Sequence, residues 1–316
     1  MSTESLNKST ALGLLKKMRE IRQFQERIIP LYPTDVMVTP VHLHIGMEAV
    51  PVGVCSHLRP TDHIFFGHRT QGPALAKGIS MNKLMAELYG RTTGCSHGYG
   101  GSMHLVDPEN GMLGSSAIVG GSIALGVGSA LAAKLSGADR VAVSYFGDGA
   151  MDSGVFFESL NFAALKKVPV LFSCENNFLS NTMQMTEHLF PNPVDFVRPF
   201  MPVFTADGTD VQDVYAKAGE ALAYIRANGA PAYLISRTKR WMKHQGVERD
   251  DLTYNQVDTK LDCPIWKLEQ WLLSQKLATE AEFEEIKREI ESRIDAALVF
   301  AQSSPFPTPN DLVKEV

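Results

Sequence analysis

Two short runs in this 316-residue chain carry residue types that could hold a metal ion and a diphosphate. Gly147-Asp148-Gly149 pairs a hard carboxylate ligand with two residues that let backbone approach a phosphate closely. Asn176-Asn177 follows, and Asn177 lies 29 positions beyond Asp148 and offers an uncharged oxygen. Magnesium takes one or two protein carboxylates and fills its remaining positions with phosphate oxygens and waters. Taken alone, the first run is a tight turn and the second a helix cap. Together, each after a short apolar run, they describe a magnesium–diphosphate site. No GxGxxG run opens a helix directly after a strand, so a dinucleotide fingerprint is not the basis of this reading.

The elements around these runs must bring them together. VAVSYF (141–146) and VPVLFSC (168–174) predict short buried strands, with a helix over Val155–Lys167 between them. A strand–helix–strand unit implies a parallel pair with a right-handed crossover. Asp148 and Asn177 then sit at the carboxyl ends of neighbouring strands, where open α/β sheets bind ligands. The helix after GDG adds a positive N-terminal dipole. Further helices are predicted over 11–31, 46–56, 81–89, 121–135, 211–228, 265–274 and 280–301, and a strand over 232–237. The glycine-rich stretches 94–104 and 111–121 and the segment 32–45 read as loops. The sum is an α/β fold with a parallel sheet flanked by helices. It is expected as one domain over 1–316, with an N-terminal helical arm to about 45 and a C-terminal helical extension over about 260–316.

Composition narrows the class. Hydrophobic residues make up 44% of the chain, enough for a sizeable core, and the net charge of -5 is spread out. No basic run suggests nucleic acid or an anionic membrane, and no apolar run approaches the ~20 residues of a membrane span. Cys55, Cys95, Cys174 and Cys263 lack metal spacing, so free thiols are expected. MSTESLNKST has no targeting pattern, and a cytoplasmic protein is the expectation.

GDG with a downstream Asn-Asn resembles the thiamine diphosphate motif. The resemblance extends along nearly the whole chain, through 42–54 (HLHIGMEAVPVGV), 68–78 (HRTQGPALAKG), 85–105, 117–121 (AIVGG), 146–177 and 237–246 (RTKRWMKHQG). These look like the α subunit of the pyruvate, branched-chain 2-oxo acid and acetoin dehydrogenases. The resemblance implies a thiamine-diphosphate-binding fold, with Mg2+ held by Asp148, Asn177 and the carbonyl of Leu179. It places Gly147 and Gly149 at the cofactor, with His68, Arg69 and Arg240 at the diphosphate, Arg forks being suited to phosphate. The carbonyls of Ala117 and Val119 would meet the aminopyrimidine, and His244 would lie near the reaction centre. The glutamate that activates the pyrimidine would come from a β subunit, in a heterotetramer, with a lipoyl acyltransferase as a further partner. Glu48 is an internal alternative, read here as structural.

The chain departs from the family at several positions. Where many members have Tyr-Arg-x-His-Gly, it has His68-Arg69-Thr70-Gln71-Gly72. Ser116 stands where many have His or Asn. Gln245 stands where the regulatory serine would be, so phosphorylation there is not expected. Gln71, Ser116 and His244 are expected to face the substrate channel and to govern acceptor choice. Three functions follow from these features. The first is a decarboxylating dehydrogenase component, acting on a pyruvate-like 2-oxo acid and passing an acyl group to a lipoyl arm. The second is a carboligase adding the same unit to an aldehyde or keto-sugar, motivated by the lost histidine at 71. The third is a non-catalytic binding subunit, which intact Asp148, Asn177, Arg69 and Arg240 disfavour.

Overall fold

The computed structural model describes residues 6–37, 39–189 and 192–314. Its centre is a six-stranded parallel sheet built from β1 (His63–Phe66), β2 (Met112–Ser115), β3 (Ala142–Gly147), β4 (Val170–Asn176), β7 (Val203–Asp207) and β8 (Ala232–Arg237), in the order β2-β1-β3-β4-β8-β7. Between β4 and β7 lie the short antiparallel hairpin of β5 (Leu179–Ser180) and β6 (Met183–Gln184) and two short helices, α7 (Met185–His188) and α8 (Pro193–Val197). The longer helices are α1 (Lys8–Leu31), α2 (Ala49–Cys55), α3 (Gln71–Lys77), α4 (Met81–Leu88), α5 (Gly121–Ser136), α6 (Gly154–Lys166), α9 (Val211–Asn228), α10 (Pro264–Ser274) and α11 (Glu280–Ser303), with α12 (Pro309–Lys314) closing the described chain.

The central strands are apolar along their length because both faces are covered. Successive side chains point to opposite faces, and the core divides accordingly. Val143, Tyr145, Leu171, Ala232 and Leu234 join the cluster that includes α1, α2, α4 and α9. Ala142, Phe146, Phe172, Cys174, Tyr233 and Ile235 join the cluster that includes α5 and α6.

Helix α1 starts at Asn7, whose side chain accepts from Thr10 N, and its buried stripe recurs at Ala11, Leu14, Leu15, Met18, Ile21, Phe24 and Ile28. That spacing lays one face on the protein. Its other contacts are electrostatic: Lys8, Lys16 and Arg27 pair with Glu282, Glu289 and Asp295 of α11. The predicted boundaries agree closely over 211–228 and 232–237 and within three residues elsewhere. Strands β1, β2 and β7 and helix α3 were not anticipated. HIFF and MLGS are four-residue runs too short to show a period, and β2 hides inside a glycine-rich stretch read as loop. Cys55, Cys95, Cys174 and Cys263 are all free, as expected. No helix among the described residues is long and apolar enough to cross a membrane.

Candidate active site at the carboxyl edge of the sheet

The turns leaving β1, β3 and β4 open onto one cavity of about 210 Å³. Its lining includes His68, Arg69, Val119, Gly147, Asp148, Gly149, Asn177, Leu179 and His244. Strands β3 and β4 pair in parallel with Gly147 opposite Glu175, which puts the GDG turn beside the Asn-Asn run as the sequence predicts.

Asp148 is 1% exposed, and neither of its carboxylate oxygens has a hydrogen-bond partner among the described residues. Burial raises its pKa to about 6. His188 Nε2 lies 4.0 Å from Oδ2, too far for a hydrogen bond, so the buried carboxylate stays costly, and a bound cation would remove that cost. Asn177 lines the same cavity as Asp148. Its Oδ1 accepts from Leu179 N at 3.1 Å and keeps a second lone pair. Beside them, Gly149 packs so closely that a Cβ would lie 2.6 Å from Ser180 Oγ, so glycine lets β5 close over the turn. Gly147 differs: its φ is -90° and a Cβ would meet only Glu175 O at 3.8 Å. The missing side chain there leaves room, which fits a ligand lying against the backbone.

Two arginines supply positive charge. Arg69 donates to Leu43 O, and burial together with the charge of Arg240 lowers its pKa to about 10. Arg240 is 1% exposed and donates through Nε and Nη2 to Asp250 Oδ2 (3.0 and 2.6 Å) and through Nη1 to Asn181 O (2.7 Å). One N–H on each terminal nitrogen stays available for a phosphate oxygen. Arg240 is thus already tied to the loop that carries Leu179, and it is not among the cavity-lining residues.

Two imidazoles, His68 and His244, line the cavity, and His42 packs against both. The rings of His42, His68 and His244 lie 4.6, 5.2 and 4.9 Å apart between centroids. Burial first, and then the nearby Arg69, lower their pKa values to about 3, 2 and 4, so all three are neutral at pH 7. Glu175, a charge inside an otherwise apolar strand, also lines the cavity and contacts His44 Nε2 at 2.9 Å. Sequence reasoning missed His42 and Glu175. The charge at 175 within a buried run, immediately before Asn-Asn, was the available signal.

Other expectations are corrected. Gln71 does not face the cavity. It is 1% exposed at the start of α3, and its Oε1 accepts from Gln25 Nε2 at 3.1 Å. Gln25 in turn holds His44 N at 2.6 Å. Gln71 therefore serves the packing of α1 on the loop around His44. Ser116 turns into its own loop, where its Oγ accepts from Ile118 N at 3.1 Å. Neither Ser116 nor Ala117 lines the cavity, whereas Val119 does and is 55% exposed. Glu48, read as structural, is fully buried and takes a two-point bond from Arg22 and a further one from Gly46 N.

A parallel α/β sheet that gathers a buried carboxylate, two arginines and neutral histidines at its carboxyl edge suits an enzyme that binds an anionic cofactor. The chain belongs to the dehydrogenase E1 component family, whose model matches residues 16–310, the α-subunit family of thiamine-diphosphate-dependent 2-oxo acid dehydrogenases. It is 37% identical to the α subunit of acetoin:2,6-dichlorophenolindophenol oxidoreductase from Bacillus subtilis, over 99% of this chain and 95% of the relative. The corresponding subunit from Cupriavidus necator is 36% identical over 98% and 95%. The pyruvate dehydrogenase E1 component α subunit from Rhizobium meliloti is 35% identical over 98% and 90%.

Proposed function

We propose that the chain forms, with a β subunit, the decarboxylating component of a dehydrogenase acting on a pyruvate-like 2-oxo acid, and passes the acyl group to a lipoyl acyltransferase. The observation that carries this reading is Asp148, a buried carboxylate with no hydrogen-bond partner among the described residues, on the same cavity as Arg69. Asp148, Asn177 and the Leu179 carbonyl would hold Mg2+. Arg69 and the spare N–H groups of Arg240 would hold the diphosphate. When bound, thiamine diphosphate supplies a nucleophilic carbon and an electron sink, the chemistry that loss of carbon dioxide from a 2-oxo acid requires.

This chain's own residues bind, orient and exclude water. His42, His68 and His244, all neutral, can each donate one hydrogen bond and accept another at the substrate oxygens. Exposed Ile118 and Val119 give the loop before α5 an apolar surface against water. The activating glutamate is assigned to the β subunit, because Glu48 is occupied by Arg22. Exposed Leu125 and Leu135 on α5 and Phe157, Phe162 and Leu165 on α6 offer an apolar face for a partner in the heterotetramer. The carboligase reading loses its motive, since Gln71 lies off the cavity while His68 and His244 line it.

The two acetoin-oxidoreductase relatives support a second substrate reading, cleavage of acetoin at the same site. Both readings are tested by co-purifying the chain with its β partner and following reduction of 2,6-dichlorophenolindophenol with pyruvate, a branched 2-oxo acid or acetoin. Turnover of a 2-oxo acid supports the first reading and turnover of acetoin alone the second. Reduction with none of them would overturn both.

A further inference from the structure

The ring nitrogens of His42, His68 and His244 have a property that the proposed reaction does not use. One nitrogen from each ring lies within 4.8 Å of the other two. Three imidazoles binding zinc at about 2.0–2.1 Å in a tetrahedral arrangement place their nitrogens about 3.4 Å apart, so small side-chain rotations close the set. The ring planes are inclined by 61°, 81° and 53°, so the rings converge without stacking. His42 is 6% exposed and its Nδ1 has no hydrogen-bond partner among the described residues.

Three separate segments hold the rings, and two hydrogen bonds, one between backbones and one from a side chain, tie the segments to one another. Gly246 N donates to Val41 O at 2.9 Å, joining the His244 loop to the His42 loop. Arg69 donates to Leu43 O, joining the His68 turn to the same loop. We propose that His42, His68 and His244 form a three-nitrogen site for a zinc-class transition-metal ion, with a fourth coordination position open toward the cavity.

The donor set separates this site from the one at Asp148. Imidazole suits zinc, copper, nickel and cobalt, whereas magnesium takes oxygen ligands. Neutral imidazoles have lone pairs to give, with no proton to displace at pH 7. Arg69 and Arg240 oppose a second cation here, and Glu175 offsets part of their charge. An ion at this site would hold His68 and His244, which line the cavity, so zinc would inhibit the enzyme. The cluster would take such an ion whatever the enzyme's substrate.

The test uses the full chain, stripped with chelator and free of thiamine diphosphate, titrated with Co2+ and then Zn2+. The expected result is one equivalent of Co2+ with the intense visible bands of four-coordinate geometry, bleached by one equivalent of Zn2+. His68→Tyr should weaken Co2+ binding by more than the roughly 10- to 100-fold that loss of an outer-shell partner costs. Unchanged affinity in a folded His68→Tyr chain, judged by circular dichroism, would overturn the proposal. Should that variant not fold, paramagnetic resonance of the Cu2+-loaded wild-type chain decides. Three coupled nitrogens support the site, and one or none refutes it.

Discussion

Asp148 is the residue on which the site turns, and its burial makes two expectations separable. Its folded-state pKa, about 6, lies above the ordinary carboxylate value. Between those values the folded chain without metal holds a proton that the unfolded chain has released. Stability therefore falls as pH rises through this window, and the penalty is complete above about pH 6. Removing the charge with Asp148→Asn should stabilise the metal-free chain at pH 8, by on the order of 1–3 kcal/mol. Denaturant unfolding of the two chains checks this, and an equal or lower midpoint for the variant would count against a destabilising buried carboxylate. Metal and cofactor binding should move oppositely, weakening as pH drops below about 6, because the ligand must be ionised.

Gln71 gives a second prediction at this scale. Gln71→His should lower stability by roughly 1–2 kcal/mol, since Gln25 loses its buried acceptor. The variant should leave the preference among electron or acyl acceptors unchanged. A shifted preference without loss of stability would return Gln71 to the channel.

At the scale of elements, the site was legible where strands are long and apolar. VAVSYF and VPVLFSC announce β3 and β4, and their carboxyl ends deliver Asp148 and Asn177 to one place. What stayed hidden depends on contacts distant in sequence. His42 reaches the His244 loop through an isolated bridge to Gly246, about two hundred positions away, and no local period records such a pairing. The resemblance puts Gln71 at the channel because the family has a histidine there, but α3 begins at Gln71 and the side chain is buried against Gln25.

The closeness of the GDG turn to β5 is testable. Gly149→Ala should weaken binding of thiamine diphosphate with Mg2+, because its Cβ would push Ser180 and the adjoining Leu179 carbonyl. Ser180→Gly in the same chain should restore most of the loss. Calorimetry on the three chains checks this, and a Gly149→Ala chain with unimpaired binding would show that β5 does not position the metal.

At the scale of the whole molecule, Glu48 distinguishes a shared site from a self-contained one. Its bond to Arg22 ties α1 to the segment before α2, and Arg22 also lies over Trp241 with its guanidinium 4.7 Å from the ring centre. Leaving a buried charge unpaired costs about 3–5 kcal/mol. Glu48→Ala should therefore lower stability by that order while the surviving complex with its β partner keeps its kcat. A stable variant with kcat lost would make Glu48 the activating acid and the chain self-sufficient.

The most direct measurement of the central claim is calorimetric titration of thiamine diphosphate, with and without Mg2+, into the complex of this chain with its β partner, for wild type and Asp148→Ala. Tight, Mg2+-dependent binding in the wild type and its loss in Asp148→Ala is the predicted result. Equal affinity in the two complexes would contradict the assignment of Asp148 as the metal ligand that bridges chain and diphosphate.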